Sequence, residues 1–213
     1  MRRKIEMQSE NLLLIFVKNI RLSKVKTRLA KTIGDKAAFE VYKHLVEITE
    51  QETKLLSDKI TVHVYFSEVI IDSKWPGKKK FVQEGRDLGE RMKNAFKKGF
   101  EMGFKRVIGI GADLPDLKSD ILLDALEILQ KEQMVFGPAE DGGYYLLGMN
   151  KMVNCVFEEK PWSTPQLLQL TLAQLQAQKI SYHLLPQLND IDTIEDLKTS
   201  SLSHKFKHFY ELS

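Results

Sequence analysis

Short apolar runs alternating with stretches of helical periodicity constrain this chain more than any other feature. Leu12–Val17 is an unbroken apolar run of strand length, the mark of a strand buried on both faces. Ile60–Phe66 alternates and is rich in β-branched and aromatic residues, which predicts a second strand. Val107–Gly111 predicts a third, running into Ala112-Asp113 with Pro115 two residues on. Between them, Ala38, Val41, Tyr42, Leu45 and Ile48 keep helical spacing behind Gly34-Asp35, with Asp35 read as the N-cap of a helix of about five turns. Met92, Ala95, Phe96, Gly99 and Phe100 keep the same spacing across Leu88–Phe104.

The second half continues the pattern less regularly. Ser119 is read as the N-cap of a helix carrying Ile121, Leu122, Ala125, Leu126 and Leu129. Met134–Gly137 and Tyr144–Leu147 are two strands with no helix between them, Thr164-Pro165 starts another helix, and Ile180–Leu185 is a last strand before a short helix. Trp75-Pro76-Gly77 reads as a turn and Phe81-Val82 as a short strand. Early β-α alternation implies parallel strands with right-handed crossovers, and the adjacent late strands imply a mixed sheet. The expected architecture is a doubly wound three-layer α/β/α fold with a mostly parallel mixed sheet, a single domain over residues 1–213. Its ligand cleft is expected at the carboxyl ends of the strands.

Composition removes several classes of function. Formal net charge is +3, and the Lys78-Lys79-Lys80 run has no aromatic interleaving, so it reads as a solvated loop and nucleic acid is disfavoured. Cys155 is the only cysteine, which excludes an internal disulfide and a cysteine zinc cluster. Arg2, Arg3 and Lys4 ahead of Leu12–Val17 superficially resemble a signal peptide. The apolar run is too short for one and ends at Lys18 without a small-residue cleavage site. With no run of membrane-span length, a cytoplasmic protein is the expectation. His44, His63, His183, His204 and His208 show no metal-ligand spacing, and no serine pairs with a histidine as a nucleophile would.

Five segments could carry chemistry. Lys18–Lys31 reads as a basic loop centred on Lys26-Thr27-Arg28, fit for phosphate or merely solvated, with neither a Walker A nor a GxGxxG pattern. In Gln83–Arg91, two glycines, an Asp and an Arg around a helix start could hold a nucleobase or ribose, although Asp87 also suits a helix N-cap and Gly85 a turn. Asp113 is either a metal-binding acid or a turn residue. Gly137–Tyr145 has a hairpin explanation in Gly142-Gly143, yet its Pro, two acids and two tyrosines suggest a backbone that a ligand approaches closely. In Asn189–Thr193, Asp192 with Glu195 resembles a capping box.

In order and spacing, KVKTRLAKTIG, QEGRDLGERMKNAF, IGADLPDL, GPAEDGGYYLLG, WSTPQLLQLT and LNDIDTIEDL resemble the bacterial glycosyltransferase-like family called selenodomain-associated transferases, from about Leu12 to Leu197. That resemblance implies the GT-A-type nucleotide-diphospho-sugar transferase fold and kinship with a guanylyltransferase that handles phospholactate. It implies Lys26 and Arg28 as the diphosphate-contacting pair, Asp113 as the acid standing for the DxD metal ligand, and Asp190 and Asp192 as further metal contacts. Asp141, Gly142 and Gly143 would line the donor or acceptor pocket, with Gln83, Gly85 and Asp87 near the nucleotide.

Together these residues lead to the expectation of a metal-dependent transferase using a nucleoside-diphosphate sugar and Mg²⁺ or Mn²⁺. Lys26 and Arg28 would stabilise the leaving group and Asp141 would serve as base for the acceptor hydroxyl. A nucleotidyltransferase on the same fold, or a nucleotide-binding protein without turnover, are the alternatives. One departure is visible: where the family's first loop has Pro and Gly, this chain has Ile20 and Ser23, and serine takes positive φ less readily than glycine.

Overall fold

The computed structural model describes residues 9–56 and 59–211, so the Arg2-Arg3-Lys4 segment lies outside the described residues. Seven strands form one sheet: β1 (Asn11–Val17), β2 (Thr61–Phe66), β3 (Lys79–Val82), β4 (Arg106–Ile110), β5 (Met134–Pro138), β6 (Tyr144–Met149) and β7 (Tyr182–Leu184). Their order is β3-β2-β1-β4-β6-β5-β7. Only β6 runs antiparallel, pairing with both β4 and β5. The helices are α1 (Thr27–Ile33), α2 (Asp35–Lys54), α3 (Leu88–Glu101), α4 (Ser119–Ile128), α5 (Leu167–Ala177), α6 (Ile194–Thr199) and α7 (Ser203–Phe206). This is the mixed, mostly parallel three-layer sheet that the alternation implied. Among the described residues no helix is long and apolar enough to cross a membrane.

Strand pleating sorts the core into two faces. In β1, Leu13, Ile15 and Val17 pack with Tyr42 and Val46 of α2 and with Leu122, Ala125 and Leu126 of α4. Leu12 and Leu14 face the other way, against Met92, Ala95 and Phe96 of α3 and Leu175 of α5. Full burial of each such aliphatic chain stabilises by about 1.5–3 kcal/mol. A third cluster joins Leu29 of α1 and Val41 and Leu45 of α2 to Ile191, Leu197, Leu202 and Phe206. It ties the carboxyl-terminal helices to the segment after β1.

Several boundaries differ from the sequence reading, each for a local reason. The stretch read as a basic loop through Lys31 turns helical at Thr27, because Leu29 buries and α1 packs on α2. Asp35 is the first residue of α2 rather than its cap. Gly34, at φ 84°, is the capping residue, and the Asp35 carboxylate instead accepts a hydrogen bond from the Ser23 hydroxyl. Ser119 likewise begins α4, and its free N–H is satisfied at 2.9 Å by the Glu52 carboxylate of α2, a partner that no local pattern reveals. Thr164-Pro165 lies in the turn before α5, which starts at Leu167.

His63 of β2 is fully buried between the Phe81 and Phe104 rings, and neither ring nitrogen has a hydrogen-bond partner. Burial, reinforced by Lys79 and Lys98, lowers its pKa from 6.5 to about 4, so the folded chain holds the neutral imidazole. The unfolded chain takes up a proton near pH 6.5 and the folded one only near 4. The resulting stability is therefore complete above pH 6.5 and lost as pH falls toward 4. The loss should reach about 3 kcal/mol, and urea unfolding of His63→Leu against the native chain should show a difference that grows across that window. A constant difference would exclude His63 as its source.

Candidate functional site

The strand order reverses direction between β1 and β4: β1 leads outward to β2 and β3, while β4 begins the other half of the sheet. In open α/β sheets, ligands bind at the carboxyl ends of strands that flank such a switch point. Lys26 follows β1 and Asp113 follows β4, and their side chains meet there, the Lys26 ammonium donating to Asp113 Oδ2 at 3.0 Å. The same ammonium donates to Asp192 Oδ1 at 2.9 Å. Asp192 arrives from the segment before α6, so three distant parts of the chain close on one cation.

Lys26 is held by backbone as well as by charge. It is the N-cap of α1 in the left-handed region (φ 46°, ψ 48°), a conformation that costs a lysine about 1–2 kcal/mol. Its side chain is only 4% exposed. Burial alone would lower its pKa, but the Asp113, Asp192 and Asp190 carboxylates outweigh burial and hold it well above the ordinary lysine value. Asp192 is correspondingly lowered: burial opposes this, and the charge and hydrogen bond of Lys26 prevail. Arg28, on the exposed side of α1, stands 3.7 Å from Asp192 Oδ2.

The capping box foreseen for Asp192 and Glu195 lies one residue later. Thr193 and Asp196 cap α6 reciprocally, and the Asp196 carboxylate also accepts from the Asp192 N–H at 3.0 Å. That shift frees the Asp192 side chain for Lys26. Asp190 remains the acid without a dedicated cation. Burial first, then the charges of Asp113, Asp192 and Asp141, raise its pKa to about 6 against the pull of Lys26.

These residues stand beside a cleft of about 450 Å³ whose walls include Asp113, Asp190, Asp141, Gly143 and Gln83. Asp141 lies at the tip of the β5–β6 hairpin, where its Oδ1 accepts from the Gly143 N–H at 2.8 Å. Gln83 is fixed between strand ends, its amide donating to the Tyr65 carbonyl at 2.9 Å and its own N–H to Phe66 O at 2.8 Å. Gly85 and Asp87 do not line this cleft. The Asp87 carboxylate caps α3 by accepting from Glu90 N at 2.8 Å, which is the structural role weighed for it. Gly85 (φ 147°) presses against Arg91 N, where a Cβ would come within 2.7 Å. Gly142 is packed on Pro165 and only Gly143 reaches the cleft.

Two further cleft residues, Tyr42 and Trp162, had no functional role in the sequence reading, and Lys18, Arg91 and Tyr144 line the cleft from segments that did. Tyr42 sits on the helical stripe that read as core, yet its hydroxyl rises to donate to Lys18 O at 3.0 Å. Tyr144 and Trp162 meet edge to face with ring centroids 6.3 Å apart and form an aromatic wall. For Tyr42 the signal was a polar tip on an apolar stripe, and for Tyr144 an aromatic beside Gly142-Gly143.

Ser23 occupies φ 63°, so the first loop makes the left-handed turn without glycine. Ser23→Gly and Ser23→Ala both lose the hydroxyl bond to Asp35 but only alanine keeps the φ cost. Chemical denaturation should therefore find the glycine variant more stable than the alanine variant by about 1 kcal/mol. Equal stabilities would mean that the loop relaxes out of that turn.

Among the described residues no group of three or more His, Cys, Asp or Glu is arranged to hold a metal by itself. The donor chemistry nonetheless fits a hard divalent cation held jointly with phosphate and water, for which one or two protein carboxylates suffice.

Comparisons with known proteins bear on the family and the fold. Residues 34–164 match the family described as "Uncharacterized protein conserved in bacteria (DUF2064)". A proposed nucleotide-diphospho-sugar transferase from Desulfovibrio desulfuricans G20 is 31% identical, with a TM-score of 0.85 over 94% of this chain and 95% of that one. CMP:2-keto-3-deoxy-manno-octonic acid synthetase, solved with CTP, is 11% identical with a TM-score of 0.58, covering 94% of this chain and 99% of that one. A cytidylyltransferase from Leptospira borgpetersenii serovar Hardjo-bovis is 18% identical with a TM-score of 0.54, covering 96% and 89%. At those identities the last two share the fold alone. None of these descriptions carries the selenodomain-associated name, and no curated protein matches the sequence significantly.

Proposed function

We propose that this chain, which belongs to the bacterial family described as "Uncharacterized protein conserved in bacteria (DUF2064)", is a metal-dependent transferase using a nucleoside-diphosphate sugar as donor, a reading supported by its likeness to a proposed nucleotide-diphospho-sugar transferase. One observation carries the reading: Lys26, Asp113 and Asp192 converge at the switch point of the sheet, beside a cleft that also receives Asp190 and Asp141. Asp113 with Asp190 and Asp192 would hold Mg²⁺ or Mn²⁺, which supplies charge neutralisation for the diphosphate. Lys26 and Arg28 oppose the charge that develops on the departing nucleoside diphosphate. Asp141, fixed by the Gly143 N–H, takes the proton of an acceptor hydroxyl presented at the hairpin tip. Gln83 lines the nucleotide end of the cleft. The lone cysteine, Cys155, is unpaired, which suits a reducing cytoplasm.

A second reading is nucleotidyl transfer from a nucleoside triphosphate to a small phosphorylated acceptor. It is favoured by the shared fold with the synthetase solved with CTP and with the cytidylyltransferase. Turnover is preferred to binding alone because Ser23 takes φ 63°, so this loop reaches the left-handed backbone without a glycine.

A thermal-shift panel of nucleotides and nucleotide sugars, with and without Mn²⁺, tests the reading. A ligand at 100 times its Kd should add about 2.7 kcal/mol of stability. Product analysis then separates the two transferases: released nucleoside diphosphate supports sugar transfer, and pyrophosphate supports nucleotidyl transfer. No shift with any nucleotide sinks both.

A further inference from the structure

We propose that Lys26 is a resident cation that holds the divalent ion's place until a nucleotide's phosphates draw it away, so that metal enters with the nucleotide rather than before it. The inference rests on the metal role proposed for Asp113 and Asp192.

The Lys26 ammonium stands between two carboxylates, one from the loop after β4 and one from the segment before α6, 3.0 Å from Asp113 Oδ2 and 2.9 Å from Asp192 Oδ1. That is where a hard cation shared by these acids would sit. An ammonium and a divalent ion repel strongly at such separations in a partly buried site, so they do not share it. A metal ion arriving alone must evict Lys26, whose side chain is 4% exposed, and leave a buried ammonium without its partners.

Phosphate changes that balance. An ammonium carries three donors, and the two carboxylates engage two of them, so Lys26 can begin to bond a phosphate oxygen before it releases either acid. Arg28, 3.7 Å from the other oxygen of Asp192 and largely exposed, keeps a positive charge beside that acid as Lys26 swings. Metal and phosphate affinities are then positively coupled, and the coupling acts equally in both directions.

The probe is Mn²⁺ alone, its free aquo ion counted by electron paramagnetic resonance with the full chain and no nucleotide. Lys26→Gln, which keeps hydrogen-bonding capacity and removes the charge, should bind Mn²⁺ about tenfold or more tightly than the native chain. Equal or weaker binding overturns the proposal. Adding inorganic pyrophosphate, with its own Mn²⁺ affinity subtracted, should tighten Mn²⁺ binding more in the native chain than in Lys26→Gln. Equal enhancement also overturns it. Should Lys26→Gln fail to fold, the double variant Lys26→Gln with Asp192→Asn leaves fewer unpaired acids, and it must bind Mn²⁺ more tightly than Asp192→Asn alone. The Mn²⁺ gain without product from any nucleotide sugar would sink the transferase reading and keep this one. Turnover without the Mn²⁺ gain would do the reverse.

Discussion

Replacing Asp113 with asparagine should abolish metal-dependent nucleotide binding and slow turnover by about a hundredfold or more. Asparagine keeps the size of the side chain and can still accept from Lys26, so the loop after β4 should fold as before. What disappears is one of the two charges that Lys26 bridges at 3.0 and 2.9 Å. With Asp192 as its only remaining carboxylate partner, Lys26 loses half of its ion pairing, and the proposed cation site loses the acid supplied by β4. Asp116 lies three residues along the same loop but is exposed. Asp116→Asn should leave nucleotide binding unchanged, which separates the role of this carboxylate from the general negative charge of the loop. Calorimetric titration of nucleotide with Mn²⁺ decides the matter. Affinity equal to that of the native chain would remove Asp113 from the site.

The position of that acid was legible because it depends on local chemistry: an apolar strand, small residues, then a carboxylate, at the sheet end where such folds bind ligands. The sheet was legible for the same reason, since Leu12–Val17 and Val107–Gly111 carry their burial in their own composition. Lys26 was legible as a residue but not as a geometry. Its left-handed backbone and its bond to Asp192, 166 residues away, depend on packing among α1, α2 and α6 that no spacing encodes. The capping box at α6 was misplaced by one residue because Asp192-Thr193 and Glu195-Asp196 offer two overlapping solutions. The fold uses the second, and the Asp192 side chain bonds Lys26 instead. At Asp87 the N-cap role that the sequence offered is the one the first turn of α3 uses.

Gly142→Ala should destabilise the chain by more than about 4 kcal/mol, or prevent it from folding. Gly142 has φ 85°, and a Cβ there would lie 2.0 Å from the Pro165 carbonyl oxygen and 2.6 Å from its carbonyl carbon. The left-handed backbone costs an alanine about 1–2 kcal/mol, and the remainder comes from the collision. No rotamer relieves it, because backbone meets backbone. Retreat is blocked on both sides of the contact: Gly142 N donates to Ala139 O at 3.2 Å, and Gly142 O accepts from Leu168 N at 3.0 Å. The hairpin tip is thus clamped to the start of α5. That clamp brings Asp141, Gly143, Trp162 and Thr164 together on the lining of the cleft. Gly143→Ala supplies the contrast. Its Cβ would lie 3.1 Å from Asp141 Oδ1, the end of a side chain that can swing, so stability should fall by no more than about 1 kcal/mol. The Asp141 carboxylate would nonetheless be pushed from its bond to the Gly143 N–H, and turnover should drop while the fold persists. Urea unfolding measures the first variant, and activity at matched stability measures the second. A Gly142→Ala chain within about 1 kcal/mol of the native one would mean that the hairpin tip stands clear of Pro165 in solution. The positioning of Asp141 would then have to come from elsewhere.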